Sequence, residues 1–202
     1  MNIFCTYVNL VFCTYMSWSY RLFFKINSQI GKRLWFDRLM YFCAHWLVYI
    51  MGFIMLSWGA FFLENSDFRM VVKLILTALF FATVFSYLLG YLWRHPRPIV
   101  EFPNIKTLLN TIETWKSFPS DHTLVSFSFA FSTILIDVTP WLTVILIIIA
   151  SFIAFGRVWV GVHYPRDIIG GIIVAVLFVW ISPWLLQNVT QPLYNAVRLF
   201  LN

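Results

Sequence analysis

Long apolar runs broken by short polar clusters dominate this chain. Five runs read as membrane-crossing helices, for which about 20 residues are needed: about 39–63, 70–93, 122–136, 141–160 and 168–186. The punctuation between them is specific. The first run ends at Glu64-Asn65-Ser66-Asp67, and the second stops at Arg94-His95-Pro96-Arg97-Pro98. Proline removes a backbone donor and restricts the residue before it, so that stretch ends a helix. Asp137-Val138-Thr139-Pro140 is short enough to fold its flanking runs into an antiparallel helix hairpin. Residues 1–24 are open between a sixth span and an interfacial segment continuing into 21–38. There Leu22, Phe23, Ile26 and Ile30 alternate with Arg21, Lys25, Lys32 and Arg33 in an amphipathic pattern suited to the headgroup layer. Trp18, Trp35, Trp46, Trp93, Trp115 and Trp141 sit near span ends, where indoles favour the interface. The expected fold is an all-α polytopic membrane helix bundle, a single domain over 1–202 without internal repeats.

Composition agrees. Of 202 residues 61% are hydrophobic and 11% charged, against about 25% charged in an average soluble domain. The formal net charge of +6 fits an anionic headgroup or a phosphorylated substrate. It does not fit nucleic acid, because the basic residues lie scattered between apolar runs and form no stripe. Cys5, Cys13 and Cys43 form no CxxC pair, and their odd number argues against a disulfide framework. They read as small buried hydrophobes. The first basic residue is Arg21, so the start lacks the charged region of a signal peptide, and Met16 is an alternative start.

Two polar loops carry the chemistry. The longer, 94–119, contains Arg97 and Lys116; the shorter, 161–167, contains His163 and Asp167. With five alternating spans both lie on one side of the membrane. If 163–167 is helical, His163 and Asp167 face the same way. The carboxylate then holds one imidazole nitrogen and leaves the other free to attack. Arg157, at the end of the preceding span, offers a planar guanidinium for two phosphate oxygens. Ser120 is suited to cap the next helix, whose free N–H groups favour an anion. His122 in the first turn can protonate a leaving oxygen, and Arg97 adds a second guanidinium. Phosphoryl transfer needs mostly positioning and charge stabilisation. A phosphohistidine on His163 follows, with His122 as acid and then as base. Taken singly, each residue has an ordinary explanation: headgroup anchors for the arginines, a plain cap for Ser120, an interfacial imidazole for either histidine. Together, beside apolar spans, ionisable groups need partners or function.

These clusters resemble the type 2 phosphatidic acid phosphatase superfamily, which also includes vanadium haloperoxidases. Its pattern is a lysine seven residues before Arg-Pro, then Pro-Ser-Gly-His, then Ser-Arg followed by His and Asp. Arg97-Pro98, Pro119-Ser120 with His122, and Arg157, His163 and Asp167 match it, within about 90–175. Gly90 stands where the lysine is expected, Asp121 replaces the glycine, and Gly156 replaces the serine. Lys116 is the substitute for the missing cation, and Asp121 repels a phosphate unless it is paired or turned away. Phe118-Pro119-Ser120-Asp121-His122, and the stretch from Gly156-Arg157 through His163-Tyr164-Pro165 to Gly170-Gly171, are similar to bacterial undecaprenyl pyrophosphate phosphatases. The resemblance implies removal of the terminal phosphate of a polyprenyl diphosphate, recycling a lipid carrier for cell-wall glycans. It also implies a plasma-membrane enzyme with an extracytoplasmic site and no metal or other cofactor. The sequence carries no HExxH motif and no dense carboxylate cluster, and it points to no obligate protein partner.

Charge alone argues the opposite topology. Lys25, Lys32, Arg33 and Arg38 share the motif side, while Arg69, Lys73 and Arg198 lie opposite, and cytoplasmic loops carry the excess of Lys and Arg. The same motifs would serve phosphatidylglycerol phosphate, phosphatidate or lipid A, and a transporter or membrane scaffold on the same fold is the non-enzymatic alternative.

Overall fold

The computed structural model describes residues 17–109, 115–136 and 140–201. Among them every regular element is helical. Helices α1 (Trp18–Asn27) and α2 (Leu34–His45) lead into α3 (Leu47–Phe62), bent from α2 by 51°. Then come α4 (Asn65–Leu92), single-turn α5 (Pro98–Glu101), α6 (Asp121–Leu135), α7 (Pro140–Trp159) and α8 (Pro165–Leu185). A π-helical turn, Leu186–Thr190, joins α8 to α9 (Gln191–Leu201). The turn expected at 137–139, the segment 1–16 with Cys5 and Cys13, and the loop residues 110–114 lie outside the described residues.

Local chemistry sets these boundaries. Helices α5, α7 and α8 each begin on a proline, whose missing N–H costs nothing in a first turn. Asp67 in the first turn of α4 complements its dipole. Pro183 inside α8 removes a helical donor shortly before the π-helical turn.

Among the described residues three helices are long and apolar enough to cross a membrane: α4, α7 and the rod Pro165–Phe200. The bent pair α2–α3 makes a fourth if it is one span. Helix α6, where a span was expected at 122–136, has 15 residues. It rises about 22 Å, at about 1.5 Å per residue, against a hydrocarbon core of about 30 Å. It is the centre of the bundle, packed against α3, α4, α7 and α8. Beside Leu124 and Phe127, its buried face is built from small and hydroxyl side chains: Thr123, Ser126, Ser128, Ala130, Ser132 and Thr133. Such residues let helices approach closely where lipid supplies no hydrophobic drive. Side-chain hydroxyls in a helix can turn back onto nearby carbonyls. Here Ser132 donates to the Ser128 carbonyl at 2.7 Å, and Thr133 pairs with Thr143 at 2.8 Å. Met51, Met55, Leu146 and Ile153 pack around α6, in one core with its own Phe127 and Ala130. The outer surface is apolar, with Phe53, Phe61, Leu92 and Trp180 well exposed, as a lipid-facing surface is.

The two polar loops meet at one end of this bundle. The Leu108 N–H donates to the Val160 carbonyl at 3.1 Å, and the Ser120 N–H to the Asp167 carbonyl at 3.0 Å. The end of α1 braces the same loops, since the Asn27 amide donates to the Lys106 carbonyl at 2.7 Å and Lys106 Nζ donates to the Ile30 carbonyl at 2.8 Å. Gly161 has a φ of 84°, and a Cβ there would lie 2.6 Å from the Lys106 carbonyl oxygen. That left-handed conformation, in so close a space, suits glycine alone.

Candidate active site

His163 and Asp167 meet, but not along a helix. Helix α8 begins at Pro165, with Tyr164 as an extended N-cap residue, so His163 lies in the turn before it. Asp167 folds back from the first turn and accepts the Tyr164 N–H at 2.8 Å. Its carboxylate also accepts the Ser117 hydroxyl at 2.6 Å. His163 Nδ1 stands 2.9 Å from the Ser117 carbonyl oxygen and 3.6 Å from Asp167 Oδ2. A carbonyl can only accept, so Nδ1 carries the proton and Nε2 keeps its lone pair. The tautomer is therefore set chiefly by a backbone carbonyl, with the carboxylate behind it. Burial pushes the His163 pKa down to about 4; the Arg157 and Arg97 charges lower it further, against the opposing pull of Asp167. Burial acts this way because it penalises the charged form. The imidazole is neutral at neutral pH.

Both expected arginines are buried at this end. Arg157, 3% exposed, donates through Nη1 to the Ala44 carbonyl at 3.1 Å. Its neighbour Gly156 makes that approach feasible, because a Cβ there would come within 3.1 Å of the Ala44 nitrogen and 3.2 Å of the Met40 oxygen. The serine-to-glycine departure thus brings the backbone of α2 against α7. Arg97, 6% exposed, donates from Nε to the Lys116 carbonyl at 3.1 Å.

Ser120 occupies the N-cap position of α6, fully buried, but its side chain makes no cap hydrogen bond. Its hydroxyl instead accepts from Thr123 at 3.1 Å. Gly171 of α8 packs over it, a Cβ there falling 2.8 Å from the Ser120 carbonyl oxygen. His122, in the first turn of α6 and only half-buried, lies within electrostatic reach of Arg157, His163 and Arg97.

Lys116 and Asp121 are bound to each other. Lys116 Nζ meets Asp121 Oδ1 at 2.5 Å and Ser86 Oγ at 2.9 Å, and lies 4.3 Å from the centre of the Tyr87 ring. The carboxylate is therefore paired. The structure brings His163, Asp167, Ser120, Arg97 and Arg157 into one buried region with His122 beside it, and sets Lys116 and Asp121 together at its edge.

Sequence reasoning missed Ser117, Ser86, Ala44 and Glu101. Ala44 acts through its carbonyl, and Ser117 through its carbonyl as well as its hydroxyl; a backbone carbonyl is common to all residue types. Glu101 accepts the hydroxyls of Tyr20 and Tyr164, each at 2.8 Å. Burial and this carboxylate together push the Tyr164 phenol far above its ordinary range. Arg166 stacks over the same two rings at 5.1 and 5.0 Å, a cation held by aromatic faces.

A model of the PAP2 superfamily matches residues 71–191, more than half of the chain. The chain is 31% identical over 167 residues to the bacitracin transport permease protein BcrC of Bacillus licheniformis, covering 79% of each. It is 28% identical to the undecaprenyl-diphosphatase BcrC of Bacillus subtilis, again over 79% of each. The crystal structure of Aquifex aeolicus LpxE superposes with a TM-score of 0.66 at 23% identity, covering 83% of this chain and 96% of that one. This chain belongs to the PAP2 superfamily and is a phosphatase carried in a membrane by apolar helices.

Proposed function

We propose that the chain removes the terminal phosphate of undecaprenyl diphosphate through a phosphohistidine on His163, recycling the lipid carrier for cell-wall synthesis. The observation that carries this reading is the orientation of His163, with Nδ1–H committed to the Ser117 carbonyl and Nε2 left as the nucleophile among two buried guanidiniums. The name of the Bacillus subtilis relative supports the substrate.

In the first step His163 Nε2 forms a bond to the terminal phosphorus. The bond from that phosphorus to the bridging oxygen breaks, and His122 gives the departing lipid monophosphate its proton. Arg97 and Arg157 hold the charge that spreads over the equatorial oxygens. The backbone N–H groups at the start of α6, next to Ser120, add partial positive charge. In the second step His122 takes a proton from water, whose oxygen bonds to phosphorus as the bond from phosphorus to His163 Nε2 breaks, releasing inorganic phosphate and the free imidazole. The sum is diphosphate plus water giving lipid monophosphate and phosphate. Asp167 balances the positive charge that His163 develops. The bundle carries five crossings, with α6 as a short central one, and the site end faces the extracytoplasmic side of the plasma membrane.

The test compares phosphate release by detergent-solubilised protein from undecaprenyl diphosphate, undecaprenyl monophosphate, phosphatidylglycerol phosphate, phosphatidate and lipid A. The diphosphate is expected to be the preferred substrate. His163→Ala is expected to lower kcat by about a thousandfold or more, and His122→Ala by about a hundredfold or more. Full activity in His163→Ala removes the nucleophile, and preference for another lipid replaces the substrate.

A further inference from the structure

Four residues outside the reacting set are fitted to one another. The Lys116 side chain is 1% exposed, and its stem runs along the face of α4 left open by Gly90. A Cβ at position 90 would lie 2.8 Å from Lys116 Cγ, 3.0 Å from Cδ and 3.1 Å from Cε. Three successive methylene groups thus occupy the place of the side chain that Gly90 lacks. Beyond them the ammonium reaches Ser86, one turn earlier on α4, and Asp121 at the start of α6. Ser86 completes the triangle by donating to the same Asp121 oxygen at 2.8 Å. The backbone of this segment faces the other way, where the Lys116 carbonyl takes Arg97 Nε and the Ser117 carbonyl takes His163 Nδ1.

We propose that Lys116, admitted by Gly90, is a positioning residue that neutralises Asp121 so that an anionic phosphate can approach between Ser120 and His122. This rests on the reading of Arg97, Arg157 and His163 as the phosphate-handling groups. Asp121 lies between Ser120 and His122 in sequence, and its side chain is 31% exposed. An uncompensated carboxylate there opposes a phosphate at short range. A lysine extending from position 90 itself and the present course of Lys116 exclude each other sterically. The chain has one cation from the loop in place of one from the helix, and that cation is spent on Asp121 rather than held for substrate.

A double-mutant cycle separates the two roles open to Lys116. The readouts are KM for whichever lipid phosphate the wild-type protein turns over and inhibition by inorganic phosphate. The second readout needs no knowledge of the natural lipid. Lys116→Met is expected to weaken phosphate inhibition and raise KM about tenfold, with a smaller change in kcat, because it unmasks a like charge. Asp121→Asn alone is expected to tighten phosphate inhibition about threefold, because it leaves an unshared cation. The double variant Lys116→Met with Asp121→Asn is expected to return close to wild type. If it stays as impaired as Lys116→Met, lysine binds phosphate directly and the proposal is overturned. Weaker phosphate inhibition in Asp121→Asn overturns it as well, and that variant decides the matter if Lys116→Met does not fold. Gly90→Leu, which displaces the stem, is expected to reproduce the KM effect of Lys116→Met, and an unchanged KM in a folded Gly90→Leu protein counts against the proposal. If the wild type hydrolyses no lipid diphosphate but another lipid phosphate, the proposed substrate fails while this cycle stays readable.

Discussion

At the scale of single residues, the proposed phosphohistidine mechanism makes the protonation of His163 decisive. A neutral imidazole attacks and a protonated one does not. Burial holds its pKa at about 4, against about 6.5 in an unfolded chain. Between those values the unfolded state binds a proton that the folded state refuses. The stability contributed by this group is thus complete above pH about 6.5 and is lost as pH falls through about 4. Nitrogen NMR of 15N-histidine-labelled protein in micelles is expected to show one imidazole protonated at Nδ1 and bare at Nε2 from pH 7 to pH 5, titrating near 4. A midpoint near 6.5 for the residue whose signal disappears in His163→Ala contradicts the buried geometry. The identities of His163 and Asp167 were legible from spacing, because side chains carry that signal. The atom that orients the imidazole was not, because it is the carbonyl of Ser117 and leaves no trace in residue type.

Elements bring these residues together by close approach, and glycines measure it. Gly171 places α8 against the first turn of α6 so tightly that an added Cβ would meet a backbone oxygen, that of Ser120, at 2.8 Å, and Thr123 Cβ at 3.1 Å. Backbone cannot swing aside as a side-chain tip can, so Gly171→Ala forces the helices apart at the cap that precedes His122. Overpacking of this kind costs about 1–3 kcal/mol. The expected result is a lower thermal midpoint together with a fall in kcat of about tenfold, the size of effect that a small misplacement of reacting groups produces. Gly52→Ala is the control, since its Cβ would meet only Phe129 at an ordinary 3.6 Å, and alanine is the better helix former. Equal losses in the two variants would show that the α6–α8 contact has no special bearing on catalysis. Apolar runs and prolines announced most of these helices. They gave the place of α6 but not its character, because its run of 15 residues is shorter than the four apolar helices that enclose it. Likewise the helix expected across His163 and Asp167 starts two residues after His163, because Pro165 is a first-turn residue and Asp167 turns back onto Tyr164.

For the whole molecule, the bonding of the cations at the site end bears on which way that end faces. Counted as sequence, the basic residues of that end point it toward the cytoplasm. Several, however, are committed to fixed partners: Lys116 to Asp121, Lys106 to the Ile30 carbonyl, Arg157 to the Ala44 carbonyl and Arg166 to the Tyr20 and Tyr164 rings. Arg97, too, donates to the Lys116 carbonyl and is buried. A cation folded into a site or a ring stack serves that structure first, so counting it as a topology signal overstates the bias. Of the other basic residues at this end, Arg21 and Lys25 lie on α1, Lys32 and Arg33 in the turn after it, Arg38 near the start of α2 and Arg94 just after α4. Helix α1 packs against the ends of α7 and α8, where basic side chains can rest at headgroups of either leaflet. The opposite end keeps Arg69, Lys73 and Arg198, together with the last helix, α9. An extracytoplasmic site therefore predicts a cytoplasmic C-terminus. A fluorescent protein fused after Asn202 is expected to mature and fluoresce in a bacterial host, while alkaline phosphatase at the same point is expected to stay inactive. Active alkaline phosphatase there would place the site in the cytoplasm, where it would meet a different pool of lipid phosphates.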